Sequence, residues 1–254
     1  MQSFTSSDQL REKFPNIGSY VYCHDNPTNR IDPDGRDDFF KPNGTFIKHT
    51  DNRDKDGNLT NNIYISSAKK TNVLLSNYTF GKHNGGTLAR IGSYYAKKAG
   101  LDMSKLSNNN FSVANRYYDS NLPSSENLYN NGRVSSSEDI MNQDETTKTV
   151  TFSLQYGKVD ELLNNSENFT STIKHEFDHV NGNDEINTLY NQIKDPTFKN
   201  TTQDFKNNTY EYVKDVVSEM RIYQDPSWSR AQINMLHKQA DVWKRKLEKA
   251  GVKF

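Results

Sequence analysis

The run His175-Glu176-Phe177-Asp178-His179 sets two imidazoles four residues apart, with a carboxylate beside the first. On a helix, at about 100° per residue, positions i and i+4 lie one turn apart on one face, so both rings can bind one tetrahedral ion. Glu176 stands where a carboxylate can take a proton from water at that ion. The chemistry expected of such a set is zinc-dependent hydrolysis, with His175 and His179 on the metal and Glu176 as general base.

Zinc needs a third protein ligand, and two glutamates compete for the place. Glu219 is the expected one: it sits on a helix predicted over 203–224, beside the buried stripe of Val213, Val216, Val217 and Met220, and a regular helix holds a ligand rigidly. Glu185 is the alternative, because HEFDHVNGNDE fits His-Glu-x-x-His-x-x-Gly-x-x-ligand with Gly182 at the turn. Asp184 and Glu185 also read as an N-cap for the helix predicted over 184–194. Glu211 is a third option. Tyr223, one turn beyond Glu219, and His237 on the last helix are candidates to stabilise the transition state, Tyr223 foremost.

The elements that must position these groups are visible in the hydrophobic pattern. A helix over 171–181 takes its N-cap from Thr170, Ser171 or Thr172 and its stop from Gly182. Its stripe of Ile173, Phe177 and Val180 packs inward, leaving the histidines on another, polar face. Ahead of it, Val150, Phe152, Leu154 and Tyr156 alternate with polar residues, predicting a strand over 149–156. If that strand lies at a sheet edge, an extended peptide can pair with it; the alternative is a central core strand. Phe39-Phe40 and Phe46-Ile47 flank Asn43-Gly44 as a hairpin, Asn62 to Ile65 is a further strand, and a helix is predicted over 87–99. Two long helices, over 203–224 and 228–250, are separated by Asp225-Pro226. The fold class is therefore α+β: a small antiparallel sheet in the N-terminal half, then the metal helix and a helical subdomain. The expected division is an N-terminal arm over 1–37 and one domain over 38–254.

Composition excludes several functions. Thirty-two basic and 32 acidic residues balance, and no strongly basic stretch stands out beyond short runs, so no nucleic-acid footprint is read. Cys23 is the sole cysteine, which rules out an internal disulfide and a multi-cysteine zinc site. No run approaches the roughly 18 apolar residues of a membrane span. Residues 1–18 lack the apolar core of a secretory signal, so export is expected by another route. Asn52-x-Asp54-x-Asp56-Gly57 starts like a calcium loop, but Ile63 stands where a bidentate glutamate is needed, and a polar turn is expected instead.

Two resemblances follow from these motifs. Tyr20-Val21-Tyr22, Asn26-Pro27 and Asp32-Pro33-Asp34-Gly35-Arg36, over roughly 15–36, resemble the end of the RHS-repeat-associated core of bacterial polymorphic toxins. That resemblance implies that the chain after Gly35 is the variable toxin tip, exported by a specialised secretion system into a target cell and neutralised in its producer by an immunity protein. HEFDH with Glu219, over roughly 170–224, resembles gluzincin-type metallopeptidases, although Tyr223 stands where that family often has Asp. It implies a Zn2+-dependent peptidase acting on a protein or peptide substrate. The rivals are an amidase on cell-wall peptides, a nuclease-type RHS toxin and a non-catalytic metal-binding module.

Overall fold

A computed structural model describes residues 37–52, 60–67, 71–81, 83–115, 141–144, 146–222 and 227–254. The RHS-like stretch, Tyr223 and most of the calcium-like turn lie outside the described residues. The architecture is α+β, with two small sheets in the first part and four helices after them.

In the first sheet, β1 (Asp37–Phe40) pairs antiparallel with β2 (Phe46–Thr50), forming the hairpin read from Asn43-Gly44. Gly44 adopts φ +82°, and a Cβ there would sit 2.6 Å from the Thr87 carbonyl oxygen, so glycine is required. β3 (Ile63–Ser66) takes the other edge of β1 in parallel, and β4 (Asn72–Leu74) pairs antiparallel with β3. The second sheet comprises β5 (Ser112–Asn115), β6 (Met141–Asp144) and β7 (Thr149–Leu154) in the order β5-β7-β6. Both sheets are mixed rather than antiparallel throughout, because β3 returns beside β1, and β7 beside β5, in the direction of its neighbour. Of the two positions open for the strand over 149–156, edge or central, the structure takes the central one. β7 is the central strand, with both edges paired, and it carries Val150, Phe152 and Leu154 fully buried.

α1 (Gly85–Lys98) packs on α2 (Ser166–Val180), with Tyr95 wedged against Phe40 and Phe169. Gly92 lets α1 come down on Phe152 and Phe111, since a Cβ would meet Phe152 at 2.8 Å. The first core gathers these side chains with Ile173, Phe177 and Val180 of α2. A second core joins α3 (Glu185–Lys194), α4 (Gln203–Ile222) and α5 (Arg230–Lys249) through Leu189, Ile193, Val213, Val217, Ala240 and Leu247. Residues 181–184 carry the chain from one core to the other. Asn168, buried near the start of α2, also ties the two: its amide donates to Thr202 Oγ1 at 3.0 Å and accepts from Thr202 N–H at 2.9 Å.

Candidate metal centre

α2 starts more than a turn earlier than expected. Its N-cap is Asn165, whose side chain accepts from the N–H groups of Glu167 (3.0 Å) and Asn168 (3.1 Å). Thr170 and Thr172 lie inside the helix and satisfy their hydroxyls on the carbonyls of Ser166 and Asn168, four residues back. The motif therefore occupies the C-terminal half of a 15-residue helix.

The helix ends in a Schellman turn. Gly182, at φ +90°, donates to the His179 carbonyl at 2.8 Å, and Asn183 N–H donates to the Asp178 carbonyl at 3.1 Å. The reversed chain then presents the carbonyl of Asn183 to His179 Nδ1 at 3.0 Å. Asp184 caps α3 by accepting from Asn187 N–H at 2.9 Å. With the cap supplied by Asp184, Glu185 in the first turn of α3 is left to face α2.

Three ligand atoms converge there, all within 4.8 Å of one another: one each from His175, His179 and Glu185. His179 Nε2 lies 3.0 Å from Glu185 Oε2 and 3.2 Å from His175 Nε2, and His175 Nε2 lies 3.6 Å from Glu185 Oε1. The outward ring nitrogens are both engaged. His175 Nδ1 meets Gln192 Oε1 at 3.2 Å, and Gln192 in turn donates to Ser171 Oγ at 3.1 Å. Holding each Nδ1–H on a carbonyl-type oxygen aims both Nε2 atoms at the cluster, which is how protein scaffolds orient metal-binding imidazoles.

The three groups are electrostatically linked. Burial pushes the His175 pKa down, so this ring is neutral near pH 7. Its hydrogen bond to Glu185 raises His179 to about 9. Burial acts upward on Glu185, but the hydrogen bond from His179 and that ring's positive charge help outweigh it and hold the carboxyl below its usual value. Tyr212, half-exposed on α4, also hydrogen-bonds Glu185. Glu185 Oε1 is buried without a hydrogen-bond partner. A buried carboxylate oxygen of this kind, beside two inward-facing imidazole nitrogens, is a donor set that a metal ion completes.

Other expected site residues are placed as follows. Glu176 is buried in α2, close enough for its charge to act on His179. Glu219 is exposed on α4 and is not among the three converging residues. α4 turns its Val213 and Val217 stripe into the second core, and the side chain it sends to Glu185 is Tyr212, two turns before Glu219 on nearly the same helical face. Glu211 is exposed and pairs with Lys214 at 2.7 Å. His237 lies on α5 with a buried, unpartnered Nε2 and is not part of the cluster. Sequence reading did not single out Gln192 or Tyr212. A signal for Gln192 existed, since residues 185 and 192 are two turns apart on one face of α3.

A protein-family model described as metallopeptidase toxin 2 matches residues 38–247. No curated protein and no solved structure matches the chain.

Proposed function

The chain belongs to the metallopeptidase toxin 2 family, and from that premise we propose that it is a zinc-dependent peptidase whose metal is held by His175, His179 and Glu185. The convergence of two imidazole nitrogens and a carboxylate oxygen at the end of α2 carries this reading. Two histidines and one glutamate match catalytic zinc sites, which keep the fourth position for water. Glu185 replaces Glu219 as the proposed third ligand.

When bound, zinc would polarise the scissile carbonyl and make the attacking water more acidic. Glu176 is the general base: it takes the water's proton and passes it to the departing amine. Its burial in α2 keeps the carboxylate at a fixed place beside the histidines. Gln192 and the Asn183 carbonyl keep both rings turned toward the reacting centre. Two tyrosines compete to donate to the developing oxyanion. Tyr212 is supported by its hydrogen bond to Glu185; Tyr223 is expected there from its place one turn beyond Glu219, and that support goes with Glu219. The outer strand β6, packed against α2, is the proposed rail for an extended peptide, in place of β7.

The RHS-like motifs before residue 37 support delivery as the tip of a polymorphic toxin, with 38–254 as the toxin domain, exported by a specialised secretion system. An immunity protein in the producing cell belongs to the same reading. An amidase acting on cell-wall peptides would use the same residues in the same roles.

The test compares wild type with His175→Ala, Glu185→Ala and Glu176→Gln for zinc content, peptide cleavage and toxicity on expression. The expected pattern is one zinc in the wild type, loss of metal in the first two variants, and retained metal without cleavage in Glu176→Gln. Full cleavage and toxicity by Glu176→Gln would overturn the mechanism.

A further inference from the structure

α5 is a 20-residue helix of which only Ala240 and Leu247 are buried. These two residues face α4, on which α5 mainly packs. The opposite side reads Ala231, Met235, Lys238, Val242, Arg245 and Lys249, alternating steps of four and three, so all fall on one line along the helix. Every one of them is exposed, Met235 at 59% and Val242 at 44%.

This line carries no carboxylate. The two acidic residues of the helix point to its flanks and are engaged, Asp241 with Arg221 and Glu248 with Lys244. Lys238, Arg245 and Lys249 form no ion pair among the described residues. In a chain whose charges sum to zero, α5 has six basic residues (Arg230, Lys238, Lys244, Arg245, Lys246, Lys249) against two acidic ones, a local excess of four. Three of the six cations, Lys238, Arg245 and Lys249, thus lie on one outward line, with Val242 between the first two and Met235 one turn before Lys238.

The pattern selects among polyanions. A helix lying in a lipid surface needs a broad apolar face, and α5 has spent its continuous apolar side on the second core. Phosphate backbones reward cations and gain little from Met235 and Val242. Two apolar anchors one heptad apart, rimmed by cations, match the face a helix offers to a protein groove. We infer that the outward line of α5, through Met235, Lys238, Val242, Arg245 and Lys249, is a docking face for an acidic protein whose apolar groove is rimmed by carboxylates. The face turns away from α4, on which α5 packs, and includes none of the three cluster residues.

The experiment measures binding of the full chain to four probes at low salt: a glutamate–tyrosine copolypeptide, polyglutamate, phosphatidylglycerol vesicles and duplex DNA. The copolypeptide is expected to bind tightest. Met235→Ser with Val242→Ser should weaken it by about fivefold without changing polyglutamate binding, and Lys238→Glu with Arg245→Glu and Lys249→Glu should weaken it by tenfold or more. All five positions are exposed, so circular dichroism and metal content should match the wild type. Equal binding of copolypeptide and polyglutamate, insensitivity to either variant, or tighter binding of vesicles or DNA would overturn the inference. Because neither variant touches the cluster, the peptidase reading stands or falls separately.

Discussion

Gln192 reaches from α3 to hold His175 on α2, its Oε1 lying 3.2 Å from Nδ1 while its amide donates to Ser171 at 3.1 Å. The contact fixes which imidazole nitrogen faces the cluster. Gln192→Leu keeps the volume but removes the acceptor, leaving the His175 ring free to turn. Zinc affinity, measured by competition with a chelator, is expected to fall about 10- to 100-fold. An unchanged affinity would mean that Gln192 merely packs.

The two glutamates weighed as third ligand can be separated directly. Glu185→Ala removes the carboxylate that lies 3.0 Å from His179 Nε2 and should abolish stoichiometric zinc binding along with cleavage. Glu219→Ala alters an exposed side chain and should leave both within about twofold of wild type, since surface changes of this sort are nearly neutral. The reverse outcome would return Glu219 to the metal.

The choice between Glu219 and Glu185 shows what a sequence discloses. The metal helix, its buried stripe of Ile173, Phe177 and Val180, the Asn43-Gly44 hairpin and the three later helices follow from local periodicity and turn residues, and the structure contains them. Choosing among glutamates needs the path of the chain over 181–184, where a Schellman turn folds Glu185 back on α2. Gly182 signalled that turn, but its closing bonds depend on a left-handed residue in place. Residues 212 and 219 differ little in azimuth, so one face of α4 carries both, two turns apart, and periodicity alone does not say which of them faces α3. Strand order was illegible for a related reason. A fully buried alternation such as Val150, Phe152, Leu154 marks a strand without saying which neighbours it takes.

The cluster also joins the two cores, since the histidines belong to α2 and Glu185 to α3. A metal bound there would tie the helical part to the sheets. At free zinc about a thousandfold above its dissociation constant, the ion should add about 4 kcal/mol to stability. For a chain of this size that corresponds to a rise in Tm of roughly 10 °C. Scanning calorimetry with and without chelator should show the shift in wild type and in Glu176→Gln, and lose it in His175→Ala. A shift that persists in His175→Ala would place the metal elsewhere.

Gly182 offers a cleaner test of the turn. A Cβ there would meet nothing within 4 Å, so Gly182→Ala introduces no clash and acts through φ +90° alone. The expected cost is about 1–2 kcal/mol in urea unfolding. Zinc binding should weaken as well, because the Asn183 carbonyl and Glu185 both follow this residue. Loss of stability without loss of metal affinity would show that the turn does not position the ligands.

Acid stability should report the staple between α2 and the chain after α3. Asp195 lies 2.9 Å from Lys174 Nζ and accepts from Thr197 N–H at 2.8 Å. Burial acts to raise its pKa, but the bonds from Lys174 and Thr197 prevail and hold it below the usual aspartate value. A carboxyl with a depressed folded-state pKa stabilises the fold above its unfolded pKa, about 3.9. That stability is lost as pH falls through this value toward the lower folded one. Asp195→Asn keeps a residue able to cap the 3-10 turn Pro196–Asn200 while deleting the charge. The variant should be less stable than wild type by about 0.5–1 kcal/mol at pH 7. The difference should shrink steadily from pH 4 toward pH 2, as the wild-type carboxyl is protonated. A gap that stays constant across this range would assign the effect to the altered cap and leave the Lys174 pair without energetic weight.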